Sequence, residues 1–288
     1  MVAYRDHRFL IDCGEGTQRQ ILQSGLGFRR LNRILITHGH LDHILGLAGL
    51  LSTFSRWEAI EHLEVWAGAW AQERIHDLLF GVVLRGARPQ INIELKTLEP
   101  GTFFEDGNFR LSAFKVEHRG PGVFGFAFEE LPRRPFLPEK AEELGLPAGP
   151  IRSRLVEGQS VTLPDGRTIE PDQVLGEPRP GPRLIHVGDC GATDNLLDVC
   201  RGADGLVIEA TYLEYETDLA RQFGHLTAKQ AAELAVQADV GQLILTHISR
   251  RYRERDVYEE AAKIFPNVTV ARDFDHFKIR RSSDATAD

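Results

Sequence analysis

The sequence predicts an α/β layered fold with one large insertion, and three observations predict it. Short apolar runs alternate with longer segments of helical periodicity, the order expected of strands and helices stacked in layers. The 288 residues are 42% hydrophobic and 26% charged, a globular composition with enough length to bury a sizeable core without a disulfide framework. Residues 131–183 hold 10 of the 14 prolines, which sets that stretch apart from everything around it.

Taken in order, RFLID at 8–12 reads as a strand and EGTQRQILQSG at 15–25 as a helix. RILIT at 33–37 leads into the helical HILGLAGLLSTF at 43–54, and LEVWA at 63–67 into WAQERIHDLLF at 70–80. From Ile91 to Glu130 the pattern changes to strands separated by glycine-containing turns. Alternation resumes at Arg183 with RLIHVGD, NLLDVCRGA, GLVIEAT, TAKQAAELAVQA, QLILTH and VYEEAAKIF, and Thr227 with Gln230 has capping-box spacing. Proline at the density of 131–183 favours extended, hydrogen-bond-poor chain, so the segment reads as an arm inserted in one domain spanning 1–288. An ordinary linker between two domains is the other reading, but the chemical motifs fall on both sides of the segment and must meet in space.

Composition also bounds function. The net charge of −8 argues against a non-specific nucleic-acid coat protein, though not against an enzyme with a local basic site. Cys13, Cys190 and Cys200 are too few and too odd in number for a secreted scaffold, and suggest reduced thiols in a cytoplasmic protein. The first residues carry charges where a signal peptide needs an apolar core, and no apolar run reaches the ~18 residues of a membrane span.

The dominant chemical signal is His38-Gly39-His40-Leu41-Asp42-His43, directly after a strand-like run. Histidines at i and i+2 project the same way from extended chain, and the next Asp and His reach a second point close by. Three further donors each follow a strand-like run: His118, Asp189 and His247. Strand ends are where layered α/β folds put their chemistry. Five histidines and two aspartates without thiolate suit Zn²⁺, or less well Mn²⁺ and Fe²⁺. Arg29, Arg30 and Arg33 before the cluster, and Arg250, Arg251, Arg253 and Arg255 after His247, flank it with charge that would attract a polyanion. Trp57, Trp66 and Trp70 read as core rather than as base-stacking platforms.

Several segments carry a resemblance: FLIDCGEGTQRQ at 9–20, THGHLDHILGLAGLLS at 37–52, EHRGPGVFGFAFE at 117–129, the proline-rich arm, VGDC at 187–190, IEATYL at 208–213, GHLTAKQAAE at 224–233 and LILTHISRRY at 243–252. On these the chain resembles the metallo-β-lactamase superfamily and, within it, the ribonuclease Z family of tRNA 3′-processing endoribonucleases. The resemblance implies an αββα sandwich with the 131–183 arm as an exosite that grips tRNA, usually across a homodimer. It implies two Zn²⁺ per chain: His38, His40 and His118 on one, Asp42, His43 and His247 on the other, Asp189 bridging. Asp42 would also orient or deprotonate the attacking water, Asp12 would support the histidines, and His225 paired with Glu209 would donate a proton to the leaving ribose oxygen. The expected activity is cleavage of the 3′ trailer of precursor tRNA by metal-activated water, leaving a 3′-hydroxyl. The family's first strand and the loop after it have no match here, and Leu41 and Cys190 depart from its usual residues. A metallo-hydrolase for small phosphodiesters, lactones or thioesters is the alternative, against which the arm speaks. A non-catalytic RNA-binding relative is a third, against which the complete donor set speaks.

Overall fold

The computed structural model describes residues 1–57, 60–88 and 90–281. Two sheets face each other. The first has the order β1 (Val2–Tyr4), β2 (His7–Ile11), β3 (Arg33–Leu35), β4 (His62–Ala67), β5 (Asn92–Thr97), with β1 antiparallel to β2 and the rest parallel. The second contains β6 (Gly101–Glu105), β7 (Phe109–Lys115), β8 (Phe124–Glu130), β11 (Arg183–His186), β12 (Gly205–Glu209), β13 (Leu243–Thr246) and β14 (Val268–Val270). Strands β11 to β14 run parallel, and β6, β7, β8 and β11 pair antiparallel. Every expected segment forms its element. The short Val2–Tyr4 strand, which pairs RFLID at the sheet edge, was not foreseen.

Period-two patterning makes the four layers. Phe9 and Leu35 of the first sheet and Phe109, Leu111, Phe126 and Phe128 of the second are buried between the sheets. Ile34, Val65 and Ala67 point the other way, onto Leu47, Leu50 and Phe54 of the helix Gly46–Trp57 and Ile75 of the helix Ala69–His76. Leu206, Ile208, Leu243 and Leu245 pack on the alanine-rich face of the helix Ala228–Gln237 and on Val257 and Ala261 of Glu254–Ala262. This is the αββα sandwich. Beyond β1 the inner faces of β12 and β13 line a cavity of about 580 Å³ that Tyr4, Phe128 and Lys278 also border.

The arm departs from expectation. It is not hydrogen-bond-poor chain. It folds into the helices Pro138–Glu143, Pro150–Val156 and Pro171–Val174 and a two-stranded sheet of β9 (Val161–Thr162) and β10 (Thr168–Ile169). Ala141, Leu146, Leu155, Val161, Ile169 and Val174 close a core of its own. Three prolines open helices, where the missing N–H has no helical partner to lose. The arm joins the body through the bridges Arg133↔Arg179 and Phe136↔Leu175, which extend the β8–β11 pair outward.

Candidate metal centre

All seven expected donors converge at one end of the sandwich. His38, His40, Asp42 and His43 follow β3. His118 follows β7, Asp189 follows β11 and His247 follows β13. Two sets of donor atoms form, each lying within 4.8 Å of one another: His38, His40, His118 with Asp189, and Asp42, His43 with His247. Asp189 stands between them. One oxygen lies 3.9 Å from His38 Nε2, 3.8 Å from His118 Nε2 and 3.4 Å from His43 Nε2; the other lies 3.5 Å from His247 Nε2. Ligand atoms around a tetrahedral zinc are separated by ~3.3 Å, so these spacings suit such an ion. His38 is fully buried, whereas the side chain of Asp42 is 72% exposed, which puts the accessible carboxylate on the solvent side.

The opposite ring nitrogens are anchored outward. His38 Nδ1 donates to Thr37 Oγ1 at 3.0 Å, and that hydroxyl donates to Asp12 at 2.8 Å. His43 Nδ1 donates to Asp12 at 2.8 Å, His118 Nδ1 to the Gly224 carbonyl at 2.7 Å and His247 Nδ1 to Thr211 Oγ1 at 2.7 Å. Each bond places a proton on Nδ1 and turns Nε2 toward the common centre, the arrangement metal-binding histidines use. Asp12 also takes the Thr37 N–H and holds a left-handed backbone, φ 56°. His247 does the same at φ 56°, a conformation that persists at a bulky residue only where its surroundings enforce it.

Electrostatics favour positive charge here. Burial opposes a charged His43, but its bonds to Asp12 and Asp189 outweigh that and raise it to about 11. Burial likewise opposes a charged Asp189, yet His43, His247 and His38 hold it well below the usual carboxylate range. His38 drops to about 3, through burial and then the charge of His43, and so remains a neutral donor. The pocket is therefore a cation site bounded by carboxylates, and its donor set fits hard-to-borderline metal ions.

Beside it lies a second polar hub. Glu209 is fully buried at the end of β12. It accepts from the Cys190 N–H at 2.6 Å, the Leu226 N–H at 3.1 Å, the Thr211 hydroxyl at 2.5 Å and His225 Nδ1 at 2.8 Å. His225 packs 5.2 Å from both the His118 and His247 rings, and shares a donor group with Asp189 and His247. Burial pulls its pKa down, but the Glu209 hydrogen bond and charge more than offset this and raise it. Thr37 and Thr211, which tie the histidines to Asp12 and Glu209, escaped sequence reasoning. A single threonine at a strand end carries no signal beyond its neighbours.

Two expectations need correction. Arg30 and Arg33 do not flank the site: they sit at the far end of β3, paired with Asp6 and Glu64. Arg251 and Arg255 are engaged with Glu216 and Glu259. Arg119, bonded to the Gln222 carbonyl, and Arg74 do reach the site: the first bears on the charge of His225 and the second on that of His40. Trp66 does pack between the sheets, but Trp70 joins none of the buried clusters: it is half-buried with its ring 5.9 Å from that of His40. The side chain of Trp57 lies outside the described residues.

Comparison with known proteins agrees with this geometry. The family described as "Beta-lactamase superfamily domain" matches residues 166–248, and "Anti-Pycsar protein Apyc1" matches 1–130. A protein of Bradyrhizobium diazoefficiens named Ribonuclease Z is 45% identical over 272 residues, covering 94% of this chain and 90% of its own. One of the same name from Archaeoglobus fulgidus is 42% identical over 279 residues, 95% of this chain and 89% of its own. The crystal structure of human tRNase Z, short form, superposes with a TM-score of 0.65 at 26% identity, over 96% of this chain and 90% of that one.

Proposed function

The chain belongs to the ribonuclease Z family and is a metal-dependent tRNA 3′-processing endoribonuclease, and we propose that it works with two zinc ions per chain, as a homodimer, in the cytoplasm. The observation that carries the reading is the pair of donor sets meeting at Asp189 with the His225–Glu209 pair at their side. In this reading His38, His40 and His118 hold one ion, Asp42, His43 and His247 the other, and Asp189 both. Bound there, two ions would lower the pKa of water near neutrality and offset charge on the phosphate oxygens.

The chain's own groups do the rest. The exposed Asp42 carboxylate orients the attacking water and can accept its proton. His225, kept protonated by Glu209, delivers a proton to the ribose 3′-oxygen as it leaves the trailer phosphate, so the tRNA ends in a 3′-hydroxyl and the trailer begins with a phosphate. The folded arm supports a large substrate, since a small-molecule hydrolase has no use for it. With eight Lys and Arg against eight Asp and Glu over 131–183, its grip rests on shape and backbone groups as well as charge. Incubation with a labelled precursor carrying a 3′ trailer should give these two fragments. Release of mononucleotides instead would indicate a different nuclease, and an intact precursor a different substrate.

A further inference from the structure

We propose that Trp70 and Arg74 form a base-binding subsite that stacks a nucleobase next to the scissile phosphate. The proposal rests on the precursor-tRNA reading above. Both residues lie on the helix Ala69–His76, four apart and hence on one face. The Arg74 guanidinium carbon is 5.3 Å from the Trp70 ring centroid, and the ring stands at 89° to His40. Both residues are half-buried, with part of each open to solvent.

The loops that carry the donors make room for this indole. A Cβ on Gly39, between His38 and His40, would lie 3.0 Å from Trp70 Cε3, and one on Gly120, two residues past His118, 3.3 Å from Cζ3. The helix is itself pressed onto the second loop: a Cβ on Gly68 would lie 2.7 Å from the Gly122 carbonyl oxygen. Trp70 is thus set in a fixed position against two donor loops, outside the buried clusters on either side of the sheets, with part of the residue still open to solvent. The ring centroid lies 5.9 Å from that of His40, so a phosphate held at the donors brings the base one sugar away within reach of it. Aromatic rings and guanidinium planes are the surfaces on which proteins stack unpaired bases, without regard to sequence.

The test removes the base and the ring separately and together. Three precursors are compared: intact, abasic immediately 5′ of the cut and abasic immediately 3′ of it. In the wild type one abasic substitution should lower kcat/KM by about 5- to 150-fold, the range measured for one stacked base. Trp70→Ala should show that loss on the intact precursor and no further loss on the same abasic one, while Trp70→Phe should keep most of the wild-type sensitivity. In single turnovers of the metal-loaded protein, the concentration that half-saturates cleavage of the intact precursor should rise with Trp70→Ala and return with Trp70→Phe. Equal abasic penalties in wild type and Trp70→Ala, or none in the wild type, would overturn the subsite. A wild type that leaves the intact precursor uncut overturns the tRNA reading, and the subsite with it.

Discussion

His225 is held by a carboxylate with no exposure to water, and that burial separates the roles of the two residues. Replacing His225 by Ala should slow precursor cleavage about 10²–10⁴-fold, the usual worth of a general acid, because a ribose oxygen leaves poorly without a proton. A p-nitrophenyl phosphodiester should be far less affected, since nitrophenolate leaves unprotonated, and zinc content by elemental analysis should be unchanged. Loss of metal would make His225 a ligand instead. The pH dependence follows from the raised pKa. A histidine lifted above its ordinary value stays protonated further up the pH scale, so activity persists below that pKa and declines as pH rises through it. Glu209→Gln removes the lifting charge, and the alkaline decline should move to lower pH with a milder loss of rate than His225→Ala. Asp42→Ala, by contrast, should abolish hydrolysis of both substrates.

At the scale of elements, the loop after β2 and the metal loop touch backbone to backbone. Cys13 donates its N–H to the His43 carbonyl, Gly46 donates to Cys13, and a Cβ on Gly46 would fall 1.9 Å from the Gly14 carbonyl oxygen. Gly46→Ala should therefore force the loops apart, costing about 1–3 kcal/mol in a denaturant melt and weakening zinc retention, because His43 loses its bond to Asp12. The arm offers the opposite case. Glu129 and Arg183 face each other at the end of the β8–β11 ladder, so residues 132–182 can be replaced by a two-residue turn between β8 and β11. Precursor binding should weaken at least about tenfold, about 1.4 kcal/mol, while small-substrate hydrolysis survives. Equal loss of both would make the arm structural. The same contrast explains what the sequence revealed. The seven donors were legible because each follows an apolar run, and a strand end plus a donor side chain is a pattern. The arm's folding was not, because Pro138, Pro150 and Pro171 signal a break unless one sees that they open helices. Trp70 was not, because a tryptophan three residues past β4 reads the same whether it points into a core or toward His40.

Across the whole molecule, four donors come from a loop of the first sheet and three from loops of the second. Ions in these sites would tie the two sheets together, and binding free energy becomes folding free energy. Elemental analysis of protein purified without chelator should find two zinc ions per chain. Stripping them should lower the melting temperature, and each tenfold rise in free zinc above the dissociation constants should restore about 1.4 kcal/mol per ion, about 2.7 kcal/mol for two, or roughly 5–11 °C for a chain of this size. A melting temperature indifferent to chelator would show that the sheets hold without the ions. The seam has a further meaning for the life of the protein in a cell. A chain whose layers are fastened by zinc exposes its interior more often when zinc is scarce, and proteases remove chains in proportion to that exposure. The amount of this enzyme, and not only the fraction of it that is active, would then follow the supply of the metal.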